Sequence, residues 1–194
     1  MAATSHSLLN RVKSNDQQAW RQLVQVYGPL MLRWCRRSGL NDDDSADVCQ
    51  EVFRVVSARL NTFHPVRESG SFRSWLRTIT RTKIIDHFRR VEKQPLARGG
   101  TTAHLYLSQV VDLLATEDEQ DAVDENAVVV TRAMELIRGE FSSQNWHAFR
   151  QVALEGQTAT EVAEVLGIKP QAVRQANYRI RRRLRVVLQD LFAG

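Results

Sequence analysis

The chain has 194 residues, 43% hydrophobic and 25% charged, enough to bury one large or two small cores. Its formal net charge is +5 with a sequence pI of about 9.7, a basic balance that points toward polyanionic partners. Two cysteines, Cys35 and Cys49, without a CxxC pair exclude a disulfide framework and a four-ligand zinc site, and neither a signal-peptide run nor a membrane-length apolar stretch is present, so a cytoplasmic protein in a reducing compartment is expected.

The spacing predicts a short helix over 7–13 with Leu8, Leu9 and Val12 inward. Asp16 stands as the N-cap of a second helix holding Trp20, Leu23, Val24 and Tyr27. Gly28-Pro29 is expected to bend or interrupt that helix before Leu30, Met31 and Trp34 resume the pattern, and Gly39 ends it. Asn41-Asp42-Asp43-Asp44 then opens a third helix, since acids are favoured beside a positive helix end. It runs to about Leu60, burying Val48, Val52, Val55 and Val56, and its other face shows Asp44, Asp47, Gln50, Glu51 and Arg54.

A loop over 61–70 leads to a long helix over 71–90. Phe72, Trp75, Leu76 and Ile79 keep one face, and Ile84, Ile85 and Phe88 continue the apolar side. The exposed side offers Arg73, Arg77, Arg81, Lys83, His87 and Arg90. A basic helix beside a loop with Phe63 and His64 suits a single nucleic-acid strand, because arginines follow phosphates and aromatics stack on unpaired bases. A solvated basic face over core aromatics accounts for the same residues equally well.

Residues 94–126 read as a tether. Pro95, Gly99 and Gly100 break structure, an apolar patch spans 105–114, and acids cluster from Glu117 to Glu125. From Ala127 a helix is expected to about Arg138, and Ser142 or Ser143 opens another with Trp146, Phe149, Val152 and Ala153 inward, ending near Gly156. Thr158 and Glu161 then have capping-box spacing, Val162, Ala163 and Leu166 share a face, and Gly167 supplies a stop. Pro170 suits a first helical position. The helix it starts turns Val173, Ala176, Ile180, Leu184 and Val187 inward, with Arg174, Arg179, Arg181, Arg182, Arg183 and Arg185 opposite.

Two short helices, a glycine turn and a basic second helix describe a DNA-binding helix-turn-helix. An ordinary helix pair in a bundle shares the caps and the charged outer face. The sign of the charge separates them: six arginines, with no acid between Glu164 and Asp190, exceed what solubility needs.

Strand signals are nearly absent, so the fold class is all-α. Residues 1–95 balance at +7, residues 96–127 at −6 and residues 128–194 at +4. Two helical domains, 1–95 and 128–194, joined by a flexible acidic linker over 96–127, are therefore expected.

Two blocks resemble the sigma-70 family of bacterial RNA polymerase sigma factors, in its extracytoplasmic-function (ECF) group. The first is DDSADVCQEVFRVVSARLNTF followed by GSFRSWLRTITRTKIIDHFRR, similar to the family's region 2 through Asp47, Gln50, Glu51, Phe53, Phe72, Trp75, Leu76, Ile79, Arg81, Ile85, Asp86, Arg89 and Arg90. The second is the helix-turn-helix, similar to region 4; many other regulators share that motif, whereas the first block is specific. The resemblance implies a transcription initiation factor that binds core RNA polymerase and promoter DNA and promotes promoter melting. It implies polymerase docking by Asp47, Gln50, Glu51 and Arg54. It places Phe63, His64, Arg77, Arg81, Thr82, Lys83 and His87 at the minus-10 element. At the minus-35 element it places Lys169, Gln171, Arg174, Gln175, Tyr178, Arg179, Arg181 and Arg182, with Arg183 on phosphates. It also implies an anti-sigma factor or other regulator as partner, and a linker that threads the polymerase.

No catalytic constellation is expected. His6, His64, His87, His104 and His147 are scattered, and no HExxH or phosphate-cradling glycine loop occurs, so neither an enzyme nor a cofactor is anticipated. The residues alone leave three readings open: a sigma factor, a regulator using only the helix-turn-helix, and an enzyme such as a recombinase with a helix-turn-helix tail. The third would need a nucleophilic Ser or Tyr amid arginines, and none is convincingly placed.

Overall fold

The structure is a computed structural model that describes residues 8–63, 72–92 and 119–188, and among these every regular element is a helix. In chain order they are α1 (Leu8–Lys13), α2 (Gln17–Arg37), α3 (Asp42–Arg59), α4 (Phe72–Glu92), α5 (Glu119–Ile137), α6 (Ser143–Ala153), α7 (Ala159–Leu166) and α8 (Pro170–Leu188). Single 3-10 turns follow α3 at Leu60–Thr62 and α5 at Arg138–Glu140.

Local chemistry sets the helix starts. The Asp16 carboxylate accepts from the N–H groups of Ala19 and Gln18, and the Ala19 N–H, then the Arg11 guanidinium, hold its pKa below the ordinary carboxylate value. The Asn41 side chain accepts from the Asp44 N–H and Ser142 Oγ from the Asn145 N–H. Helix α2 is continuous through Gly28-Pro29, where a bend or an interruption was expected; the interruption does not occur. Proline inside a helix removes one N–H and crowds the preceding turn. Tyr27, Leu30 and Met31 around it are all fully buried, and that packing outweighs the local penalty. Val24 is a second departure: it is 42% exposed, and Val26 takes its place in the core.

Helices α1 to α4 enclose the first core, built on Leu23, Tyr27, Leu30, Trp34, Val52, Val56, Phe72 and Leu76. Phe63 belongs to this core. Its ring lies 4.8 Å from that of Trp75 and 5.6 Å from that of Phe72, and Phe72 meets Tyr27 edge-on at 5.0 Å. Cys35 on α2 and Cys49 on α3 are also brought together here, thiol to thiol. The bond to Cys49, then burial, pushes the Cys35 thiol far up. Cys49 accepts that bond and is lowered by it; burial opposes this, and the Arg36 charge assists.

The second core joins α5, α6 and α8 through Ala133, Ile137, Trp146, Phe149, Ile180, Leu184 and Val187. A small neighbouring cluster of Ala148, Val162, Ala163 and Val173 seats α7. Helix α5 serves both halves, because Val129 belongs to the first core while Ala133 and Ile137 belong to the second. It begins at Glu119, not at Ala127 as the spacing suggested, so the last acids of the run are helical. Acidic residues are favoured at a helix start, which makes Glu-Gln-Asp a suitable opening.

Candidate nucleic-acid interface

The helix-turn-helix forms as its residues dictate. The Thr158 N–H donates to Glu161 Oε2 at 2.7 Å, and the Glu161 N–H donates to Thr158 Oγ1 at 3.3 Å. The hydrogen bond from the Thr158 backbone draws the Glu161 carboxyl below its ordinary pKa. Gly167 closes α7 at φ 64, a left-handed conformation in which a side chain would be strained. Lys169 caps α8 through its backbone: its carbonyl accepts from the Ala172 N–H at 2.8 Å.

Helix α8 is sharply two-sided. Val173, Ala176, Ile180, Leu184 and Val187 are buried, as expected. Lys169, Gln171, Arg174, Gln175, Tyr178, Arg179, Arg181 and Arg182 are all exposed, and Tyr178 is 66% accessible despite its large apolar ring. Arg183 differs from its neighbours. Its guanidinium forms a fork on Glu140, with Nε and Nη2 at 2.7 and 2.8 Å from the two carboxylate oxygens. It is a brace between α8 and the turn after α5, and the expectation of a phosphate-facing Arg183 is corrected accordingly.

The basic face of α4 is only partly free. Thr82 is exposed, with its hydroxyl donating back to the Thr78 carbonyl at 3.0 Å. Arg81, Lys83 and His87 are half-buried. Lys83 Nζ and Arg90 Nη2 lie 3.5 and 2.9 Å from the Glu51 carboxylate on α3, and His87 Nε2 lies 3.6 Å from Asp44 Oδ2. Burial raises the Glu51 carboxyl, but the hydrogen bonds and charges of Arg90 and Lys83 leave it lowered on balance. Asp47, Gln50 and Arg54 are exposed, and with Glu51, His87 and Arg90 they line a groove of about 480 Å³ between α3 and α4. Sequence reasoning treated these faces as separate; the structure interlocks them through Glu51.

Two residues expected at the minus-10 element are buried. Phe63 is 8% exposed within the aromatic cluster, and its carbonyl accepts from Lys13 Nζ at 2.7 Å. Arg77 is 7% exposed, because α4 turns it toward α2 and α5 rather than toward solvent. His64 lies outside the described residues.

The group that receives Arg77 is Glu125, which sequence reading left in the tether. Glu125 is 1% exposed. Its Oε1 accepts from Trp34 Nε1 at 2.7 Å and lies 3.5 Å from Arg77 Nη1, while its Oε2 lies 3.5 Å from Arg73 Nη1. The Arg77 guanidinium also stands 5.9 Å from the centre of the Trp34 ring. Arg73 bonds Asn126 at 3.1 Å, and Arg33 bonds Asp124 at 3.1 Å. A signal for this burial existed. Glu125, Val129, Ala133 and Ile137 recur every four residues, and the last three form the inward stripe of α5.

Among the described residues no group of three His, Cys, Asp or Glu could hold a metal ion, and no helix is long and apolar enough to cross a membrane. The groove chemistry is acidic and basic pairing, suited to macromolecular contact.

Comparison with known proteins finds similar chains. Residues 23–94 match the sigma-70 region 2 family. The chain is 29% identical to the RNA polymerase sigma factor CnrH of Cupriavidus metallidurans, over 93% of this chain and 92% of that protein. It is 25% identical to the ECF RNA polymerase sigma factor SigW of Bacillus subtilis, over 94% and 96%. It is 30% identical to the probable RNA polymerase sigma factor RfaY of Xanthomonas campestris, over 98% of this chain but 45% of that protein.

Proposed function

The chain belongs to the ECF group of the sigma-70 family, and from that premise we propose that it recognises the minus-10 and minus-35 elements of a promoter and promotes promoter melting. As a sigma factor it is a non-enzymatic transcription initiation factor whose partners are core RNA polymerase and promoter DNA.

The observation that carries the finer reading is the two-sided character of α8. One face is fully committed to the core, and the other offers a polar, arginine-rich surface beginning at a defined helix start. A helix in the major groove reaches base edges from its N-terminal part. Gln171, Arg174, Gln175 and Tyr178 are therefore assigned to minus-35 bases, and Lys169, Arg179, Arg181 and Arg182 to phosphates. Arg81, Thr82, Lys83 and His87 are assigned to the minus-10 strand. Asp47, Gln50, Glu51 and Arg54 are assigned to polymerase. The proposed region 2 domain is 1–95, the linker 96–127 and the region 4 domain 128–194. An anti-sigma factor that silences the chain belongs to the same proposal.

Run-off transcription tests it. With core polymerase and a template selected from random DNA, transcripts are expected only when this chain is added. Tight binding to duplex without polymerase, and no effect on polymerase, would replace this reading with that of a stand-alone regulator.

A further inference from the structure

We propose that Cys35 and Cys49 form a peroxide-responsive dithiol: a hydroperoxide oxidises Cys49, and Cys35 then closes a reversible disulfide between α2 and α3. They are the only cysteines of the chain, and the fold sets them thiol to thiol across the α2–α3 hairpin. The hairpin is held at its turn by other bonds. The Cys35 carbonyl accepts from the Ser38 and Leu40 N–H groups at 3.1 and 3.2 Å, Gly39 turns the chain at φ 85, and Arg36 Nε lies 2.8 Å from Asp42 Oδ1. Two thiols already in contact lose little chain freedom on bonding. In a reducing compartment a disulfide of this kind is transient and redox-sensing.

The two thiols suit different steps. Cys49 is the more accessible, 8% exposed against 0% for Cys35, and it accepts the hydrogen bond between them. That bond, with the Arg36 charge assisting against burial, favours its thiolate, the form that attacks a peroxide. Ser45 lies one turn before Cys49 on α3, and residues four apart share a helix face. Its hydroxyl is fully buried and has no hydrogen-bond partner among the described residues. A buried donor without a partner is costly, and an oxygen carried on the Cys49 sulfur would supply one.

The Cys49 thiolate attacks one peroxide oxygen. The S–O bond forms, the O–O bond breaks, and the other oxygen leaves as water or an alcohol, with the proton that the thiol gave up. Cys49 is thereby oxidised to the sulfenic acid and the peroxide is reduced. Cys35 next attacks the Cys49 sulfur: the S–S bond forms, the S–O bond breaks, and hydroxide departs as water with the Cys35 proton. A small dithiol reverses the bond by exchange and is itself oxidised. The bonded sulfurs must stand about 2 Å apart, so α3 is drawn toward α2 from hydrogen-bonding distance. Val48 and Val52 move with it, and the outer face with Asp47, Gln50, Glu51 and Arg54 shifts. That this face docks on polymerase rests on the function proposed above; the disulfide does not.

The test treats the full chain with hydrogen peroxide and maps its peptides by mass spectrometry without reduction. A linked Cys35–Cys49 peptide is expected, returned to two thiols by dithiothreitol, and it should form faster in the folded chain than in urea. No link, or faster linking in urea, would overturn the proposal, since thiols that merely pack are shielded by folding. Cys35→Ala should accumulate a sulfenic acid at Cys49, trapped by dimedone, and Cys49→Ala should trap none at Cys35. Trapping at Cys35 instead would overturn the order of the steps. Should either variant lose helicity by circular dichroism, the wild-type map decides. The oxidised chain is expected to bind core polymerase more weakly than the reduced chain, and equal binding would overturn the effect on the outer face of α3. A reduced chain that fails to direct polymerase would sink the sigma-factor reading and leave the linked peptide in place.

Discussion

Arg90 Nη2 on α4 lies 2.9 Å from Glu51 Oε1 on α3, and Lys83 approaches the same carboxylate at 3.5 Å. One acid thus ties the helix assigned to the melted strand to the helix assigned to polymerase. Docking that draws Glu51 toward polymerase would release two cations on the DNA side.

The Glu51 contribution depends on pH in a definite sense. Its folded pKa is lowered from 4.5, so the stabilisation is fully present above that value and is lost as pH falls through the lowered folded value. Glu51→Gln is expected to flatten the fall in melting temperature between about pH 5 and about pH 3 relative to wild type. An unchanged acid limb would remove Glu51 from the account.

Arg174 and Arg183 share a helix and should fail differently. Arg174→Ala should leave the melting temperature unchanged and weaken minus-35 use by about 1–3 kcal/mol, read as the ratio of transcription from promoters with and without that element. Arg183→Ala removes the fork on Glu140 and should lower thermal stability first. Loss of polymerase binding in Arg174→Ala would contradict the assignment of α8.

Thr158→Ala removes the hydroxyl half of the capping box, in which Oγ1 accepts from the Glu161 N–H, and should cost about 1 kcal/mol in denaturant unfolding, with Thr158→Ser restoring most of it. Promoter affinity should fall in parallel, because α7 positions the start of α8.

The helix-turn-helix was legible in the sequence because its determinants are local. A hydroxyl three residues before a glutamate, a glycine at a left-handed φ and a proline at a helix start each act within one turn. The caps at Asp16 and Asn41 were legible for the same reason. What was hidden depends on partners far along the chain. Arg77 was placed outward by its charge, yet its acceptor lies 48 residues away on a helix whose start had been read as tether. Phe63 was read as a loop aromatic, and only the assembled Phe72 and Trp75 rings reveal a core position. Cys35 and Cys49 gave no sign of meeting, because their contact is fixed by how α2 crosses α3.

That contact makes the two thiols unequal. Cys49 should alkylate before Cys35 in the folded protein, since its pKa is lowered while that of Cys35 is raised. Cys35→Ala removes the S–H donor and should slow modification of Cys49, as read by mass spectrometry of iodoacetamide-treated samples. Equal rates at both cysteines would contradict the pairing.

Glu125→Ala leaves the neighbouring arginines and the Trp34 indole without their shared acceptor, and should cost about 3–5 kcal/mol.

Because α5 runs as one rod through two hydrophobic cores, neither half can melt without disturbing the other. Calorimetry of the intact protein should therefore give one endotherm, with calorimetric and van't Hoff enthalpies in agreement. A cut before Glu119 would take Glu125 and Val129 away from the first bundle, which is therefore expected to lose stability without this helix.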